Sequence, residues 1–222
     1  MLTKATQSSA NLHSLAKLVS NSGLKRLMKN DEHKKYASQM KKLLNKNGAF
    51  IENKCSIKEL IQYSYDFLLA NYRHEYIYKS ALLNTFILKE HSLSDTILLN
   101  EFKIGNSKAD TILINGTNKV FEIKTELDSP ARLKTQLEDY YKGFAEVYLV
   151  VHHSLVDRYL GFVDPHIGIM AFSPLNEIEM VYRATPDTYP NLDKRTLPKR
   201  FSPSSFVTHP FLVKSSSKRC IL

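Results

Sequence analysis

Asp110, Glu122 and Lys124 are the residues of this 222-residue chain whose types and spacing could do chemistry together. Two carboxylates and an ammonium converging at one edge of a sheet are the equipment for a divalent cation and an activated water. Mg²⁺ takes hard oxygen ligands and keeps several of its waters, so one or two carboxylates plus a substrate phosphate hold it. Such an ion polarises a phosphoryl oxygen, lowers the pKa of bound water and steadies a leaving oxygen. A lysine two residues beyond a ligand can orient that water and stabilise charge developing in the transition state. The competing reading of Glu122 and Lys124 is a surface ion pair on an exposed strand, which is common and contributes little.

The surrounding residues say what positions them. Two short apolar, β-branched runs, Ala109 to Ile114 and Val120 to Ile123, flank Asn115-Gly116, the signature of a hairpin. Strand side chains alternate, so Glu122 and Lys124 share a face while Phe121 and Ile123 point into packing. Asp110 opens the partner strand near the same end. Ser129-Pro130 then reads as a helix start, an N-cap followed by proline at the first helical position. The predicted helix covers residues 131–144, with Leu133, Leu137, Tyr141 and Phe144 as its buried stripe. Arg132, Gln136 and Tyr140 recur every fourth residue on another face. Residues 146–151 are a nearly continuous apolar run, which predicts a strand buried on both faces.

Asp110, then Glu122-x-Lys124, then a helix bearing Gln136-x-x-x-Tyr140 resembles the PD-(D/E)XK nuclease superfamily, in its RecB-like branch with a Q-x-x-x-Y motif. The stretch over residues 72–150, from Tyr72-Arg-His-Glu-Tyr76 onward, is similar to an uncharacterised bacterial and phage family of this type. The resemblance implies a restriction-endonuclease-like α/β core, a central mixed β-sheet flanked by helices. It implies Mg²⁺ or Mn²⁺ as cofactor, Asp110 and Glu122 as ligands, and Lys124 as the residue that positions the attacking water. Gln136 and Tyr140 would flank the site and touch a phosphate or a water. Glu75 matches one further carboxylate supplied from the helix before the hairpin. Ala109 stands where the family motif often has proline, a position that varies across the superfamily.

Plainer roles compete with several of these. A glutamate on a long helix over residues 56–91 faces solvent by default, which applies to Glu75. Tyr140 can seat its hydroxyl at the rim of a core, and Gln136 can bond to backbone. Arg132 in a first helical turn opposes the helix dipole, a small cost consistent with a phosphate partner. Glu126 and Asp128 precede that helix favourably and read as structural. His152 and His153 are neighbours on a strand, point to opposite faces and do not suit one metal. No zinc-spaced Cys/His cluster, glycine-rich phosphate loop or G-x-S-x-G turn occurs, which removes most other enzyme classes.

Composition and charge frame the site. Apolar residues at 43% and charged residues at 24% are ordinary for a globular chain able to bury a full core. No apolar run approaches eighteen residues, so no membrane partner is expected. The Ser/Asn/Lys-rich start lacks a signal core, and Cys55 and Cys220 read as reduced thiols of a cytoplasmic protein. Net charge is +9, unevenly spread: residues 1–70 hold 12 Lys/Arg against 5 Asp/Glu, and residues 191–222 hold 7 against 1. Residues 71–190 reverse the balance, 12 against 16. An acidic centre between basic flanks suits a polyanion held from both sides. Nucleic acid is the expected partner, DNA ahead of RNA, with Arg132, Lys34, Lys35, Lys41 and Lys42 as contacts.

Three regions follow: a basic helical extension over residues 1–55, a nuclease-like domain over 56–190, and a basic tail over 191–222. A short helix over residues 157–163 and strands over 167–172 and 177–182 complete the expected elements. The expected function is a metal-dependent nuclease hydrolysing phosphodiester bonds. The alternatives are a catalytically silent nucleic-acid-binding or partner-regulating protein on the same fold, or an RNA or tRNA nuclease. The pattern leaves cleavage polarity and oligomeric state open, a homodimer included.

Overall fold

The apolar and β-branched runs from residue 97 onward build a single six-stranded mixed sheet, with helices packed on it. The computed structural model describes residues 4–28, 33–49, 51, 55–92 and 94–185. The proposed tail over residues 191–222, Cys220 included, lies outside them. The chain divides into two compact units, Met1–Tyr78 and Lys79–Leu222. The expected boundary at residue 55 lies within the first of these units. Among the described residues no helix is long and apolar enough to cross a membrane.

The first unit is helical: α1 (Lys4–Leu18), α2 (Asn21–Met28), α3 (His33–Lys46) and α4 (Ile57–Asn71). Tyr36, Met40 and Leu44, four residues apart on α3, are buried, while Lys34, Lys35 and Lys42 are exposed and Lys41 is half-buried. The Tyr36 hydroxyl donates to the Leu18 carbonyl, and Arg26 lies 5.9 Å from the centre of its ring. At the start of α4, Ser56 and Glu59 form a reciprocal capping box.

The single helix expected over residues 56–91 is broken. Asn71 turns its amide back onto the Phe67 carbonyl, Tyr72 takes non-helical backbone at φ −158° and ψ 80°, and residues 72–74 leave the helix. A second helix, α5 (Glu75–Ala81), starts there. It runs through a π-helical segment, Leu82–Ile87, into a last α-helical turn, α6 (Leu88–Glu90).

The sheet of the second unit has the order β1-β2-β3-β4-β5-β6, which is also chain order. Its strands are β1 (Ile97–Ile104), β2 (Ser107–Asn115), β3 (Thr117–Lys124), β4 (Glu146–His152), β5 (Gly168–Phe172) and β6 (Ile178–Tyr182). β1, β2 and β3 form an antiparallel meander, β3, β4 and β5 run parallel, and β6 returns antiparallel. The hairpin expected at Asn115-Gly116 is present, with Asn115 opposite Thr117 and Gly116 at φ +66°. Strand β1 was not anticipated. Asn100 and Glu101 interrupt its apolar run, and Glu101 adopts φ +57°, which few residues other than glycine tolerate.

Two crossovers complete the unit. A 3₁₀ turn (Pro130–Arg132) leads into α7 (Leu133–Tyr141), which joins β3 to β4. A second 3₁₀ turn (His153–Leu155) and α8 (Val156–Leu160) join β4 to β5. Every residue of β4 is buried, as its unbroken apolar run requires. The α7 stripe differs from expectation by one residue. Leu133, Leu137, Tyr140 and Phe144 are buried against Ile112, Val120, Val147, Leu149 and Val151, while Tyr141 is only partly buried. Tyr140 can go to the core because its hydroxyl finds a carboxylate there.

Candidate functional site

The register of the hairpin brings the acidic residues together. Thr111 pairs with Phe121, so one step further Asp110 lies opposite Glu122 on adjacent strands. Asp110 Oδ2 accepts the Ile123 N–H at 2.8 Å, which fixes that carboxylate beside the strand carrying Glu122 and Lys124. Alternation puts Asp110, Glu122 and Lys124 on the face that also carries Ile112 and Val120, the face α7 covers.

Glu122 is 2% exposed, and a buried carboxylate needs its lone pairs met. Lys124 Nζ donates to Glu122 Oε1 at 2.8 Å, and Gln136 Nε2 donates to the same oxygen at 2.7 Å. The Tyr140 hydroxyl donates to Glu122 Oε2 at 2.6 Å, with the Lys108 carbonyl 3.1 Å away. Gln136 Oε1 in turn accepts from Lys124 Nζ at 2.9 Å, closing a ring of Glu122, Lys124 and Gln136. Gln136 thus donates to the acid and accepts from the base, and holds the two in fixed relation. Burial pushes the Tyr140 hydroxyl far above the usual tyrosine range, and the charge of Glu122 and its hydrogen bond push the same way. Tyr140 is therefore a permanent donor.

Lys79 approaches Asp110 from α5, its Nζ 3.9 Å from Oδ1 and 3.8 Å from Glu101 Oε1. Sequence reasoning did not single out Lys79 or Glu101. Lys79 stands four residues after Glu75 on one helix, and that spacing was the available signal. Asp139, beside Tyr140, was missed as well. It is buried and accepts from Ser107 Oγ at 2.7 Å, from the Asn106 N–H at 3.2 Å and from Lys142 Nζ at 3.0 Å.

Glu75 opens α5, exposed, within the first unit, as do the α3 lysines Lys34, Lys35, Lys41 and Lys42. Arg132 is exposed at the end of the 3₁₀ turn before α7. The expectation that His152 and His153 point to opposite faces of a strand is not met: β4 ends at His152, His153 opens the 3₁₀ turn, and the two rings lie 4.1 Å apart, with His152 Nε2 3.5 Å from Glu126 Oε1 and its Nδ1 2.8 Å from the Ser154 hydroxyl. Asp128 accepts the N–H and hydroxyl of Thr125, a structural role made in the loop, while Ser129 caps the helix that follows.

The donor set suits a hydrated divalent ion held by two carboxylates. Asp110 and Glu122 are hard oxygen donors in adjacent register positions, and ions such as Mg²⁺ complete their shell with water. No group of three or more His, Cys, Asp or Glu side chains able to hold a metal occurs among the described residues. The site therefore offers two ligands, each already meeting a lysine.

Residues 68–205 match the family described as Bacteriophage P4 protein cII. The chain belongs to that family. Protein cII of Enterobacteria phage P4 is 31% identical to it over 100 residues, which are 44% of this chain and 38% of that protein. The match thus spans well under half of the relative's length. Among solved structures, the SPO1766 protein of unknown function from Silicibacter pomeroyi aligns with a TM-score of 0.36 at 14% identity, over 46% of this chain and 70% of that one. In this cII-family chain the matched segment contains Asp110, Glu122, Lys124, Gln136 and Tyr140, along with Glu75, Lys79 and Asp139. The basic helix α3 lies outside it.

Proposed function

We propose that the protein is a metal-dependent nuclease of the PD-(D/E)XK type that hydrolyses phosphodiester bonds, DNA ahead of RNA. One observation carries the reading: a buried Glu122 is held by Lys124, Gln136 and Tyr140, with Asp110 one strand away in register. The order of helix, three-stranded meander, crossover helix and parallel strand supports it, because that order delivers the acids and the lysine to one face.

Asp110 and Glu122 would hold Mg²⁺ or Mn²⁺, and the ion would supply Lewis acidity toward a phosphoryl oxygen and a more acidic water. Lys124, turned from its ground-state partners toward an incoming water, donates a hydrogen bond that orients it and stabilises negative charge on the phosphorane-like transition state. Gln136 keeps Nζ of Lys124 within reach of Glu122, and Tyr140 fixes the second Glu122 oxygen. The basic face of α3 would hold the phosphate backbone. Work on nucleic acid would place the protein in the cytoplasm.

One observation favours a second reading, a catalytically silent binding or partner-regulating protein. Each carboxylate of the site already has a cation, Lys79 at Asp110 and Lys124 at Glu122, so the site is neutralised without a metal. The two readings separate in a cleavage assay on plasmid, linear and single-stranded DNA and on RNA, with Mn²⁺, Mg²⁺ or EDTA. The nuclease reading expects metal-dependent cutting, lost in Glu122→Ala and reduced at least about 100-fold in Lys124→Ala. Circular dichroism checks that both variants fold. Binding without cutting under every condition would leave the silent reading, and cutting of RNA alone would move the substrate to RNA or tRNA.

A further inference from the structure

The two lysines of the site are held differently. Lys124 makes short hydrogen bonds of 2.8 and 2.9 Å to Glu122 and Gln136. Lys79 instead stands 3.9 Å from Asp110 Oδ1 and 3.8 Å from Glu101 Oε1, within ion-pair range of both and in tight contact with neither. Its side chain is only 8% exposed, against 14% for Asp110 and 53% for Glu101. An ammonium that far from water needs anions close by, and these two carboxylates supply them.

Glu101 earns its place through unusual backbone. It lies between the register pairs Asn100↔Thr111 and Phe102↔Ala109, opposite Asp110, in the left-handed region at φ +57°. That conformation is uncommon outside glycine, asparagine and aspartate. Glu101 also receives Lys108 Nζ at 3.2 Å, so it is an exposed acid already associated with two cations.

We infer that Lys79 is the resident counter-cation of Asp110 and competes with a divalent ion for that carboxylate, withdrawing toward Glu101 when the ion binds. This rests on the metal-dependent reading above. The physical basis is simple. A divalent ion on Asp110 would meet a positive ammonium about 4 Å away, and in a half-buried site that repulsion is poorly screened and weakens binding. Moving Nζ toward the more exposed Glu101 relieves it. In the metal-free protein the same ammonium offsets the repulsion between the facing Asp110 and Glu122 carboxylates, so Lys79 would assemble the site in advance and oppose its loading.

Calorimetric Mn²⁺ titration of the full chain tests this with Lys79→Met, Lys79→Arg and Glu101→Gln. Lys79→Met is expected to bind Mn²⁺ about tenfold tighter or more. Lys79→Arg, which keeps the cation, is expected to bind like the wild type. Glu101→Gln, an exposed change that removes the lysine's second anion, is expected to bind about threefold weaker and guards against a Lys79→Met protein that fails to fold. Equal or weaker binding by a folded Lys79→Met overturns the inference alone, since the wild type still loads. Binding unchanged in Glu101→Gln removes the proposed exit for Lys79 and overturns it too. If neither wild type nor any variant takes up Mn²⁺ at millimolar concentration, the metal-dependent reading falls and this inference with it.

Discussion

Glu122 is a buried acid that depends on its neighbours for hydrogen bonds. A carboxylate taken out of water loses several kcal/mol of hydration, which donors and a cation must replace. Lys124, Gln136 and Tyr140 do so, and each acts on a particular oxygen. Among the described residues Tyr140 is the sole protein donor to Oε2. Removing its hydroxyl in Tyr140→Phe leaves that oxygen buried and short of a donor while keeping the ring that packs beneath α7. The expected cost is about 1–3 kcal/mol of folding stability, read from urea denaturation. A change below about 0.5 kcal/mol would mean that water reaches Oε2 freely and the pocket is wetter than its geometry indicates. Gln136→Ala should cost less stability. It breaks the relay between acid and base but opens the half-buried edge of the ring, where water can substitute.

At the scale of elements, α7 is bolted to the meander through Asp139. Its carboxylate accepts from Asn106 in the turn between β1 and β2 and from Ser107 at the start of β2, and Gly105 in that turn packs so closely that an added Cβ would come within 2.9 Å of Asp139 Oδ1. Gly105 also has φ +54°, so glycine is required there twice over. Since β2 carries Asp110 and α7 carries Gln136 and Tyr140, this clamp sets the distance between the two halves of the site. Burial pushes the Asp139 carboxyl up, but hydrogen bonds from Ser107 and Lys142, the Lys142 charge and the Asn106 N–H outweigh it and hold the group below its ordinary range. A depressed folded-state pKa stabilises the fold above the unfolded value of about 3.9, and that contribution is lost as pH falls through the folded value. Asp139→Asn should therefore lower the urea midpoint at pH 7, by about 1–2 kcal/mol in free energy, and the gap to wild type should narrow at pH 3. An equal gap at both pH values would assign the effect to shape and not to charge.

Local chemistry made some of these elements readable and hid others. The Asn115-Gly116 turn, the Ser129-Pro130 helix start and the apolar run of β4 each depend on neighbours in sequence, and each stands where expected. The pairing of Glu122 with Lys124 is two residues apart and was equally legible. Tyr140 was placed on the wrong side of the buried stripe, because its burial depends on Glu122, eighteen residues earlier on another element. Asp139 was unreadable for the same reason, and for Lys79 the spacing from Glu75 gave a face but no partner. Their partners, Ser107 and Asp110, are some thirty residues away and meet them only once β2 has its register. The break at residues 72–74 was hidden because the apolar spacing continues through it, while the Asn71 amide that marks the end of α4 is a single weak signal.

At the scale of the whole molecule the charge is divided along the chain. The net positive balance sits in residues 1–70 and 191–222, and the carboxylate site sits in the acidic stretch between them. A polyanion cannot be held by Asp110 and Glu122 unaided, so the proposed activity needs cations elsewhere. Of the described residues, α3 offers the densest row: Lys34, Lys35 and Lys42 are exposed, with Lys41 half-buried beside them, on a helix whose opposite side is anchored by Tyr36, Met40 and Leu44. Rigid anchoring matters, because a lysine on a fixed helix contacts phosphate at a smaller entropic cost than one on a mobile loop. Replacing the four by glutamine should leave α3 folded, since none of the buried residues changes and glutamine is a comparable helix former. Affinity for duplex DNA should fall, and the slope of log affinity against log salt should become shallower by about 0.9 for each phosphate contact removed, up to about 3–4 in all. Fluorescence anisotropy over 50 to 200 mM salt, about the range in which such slopes are read, measures this directly. Mn²⁺ binding should not change. An unaltered slope would mean that the nucleic acid does not sit on α3, and that the basic residues beyond position 190 or Arg132 carry the contacts instead.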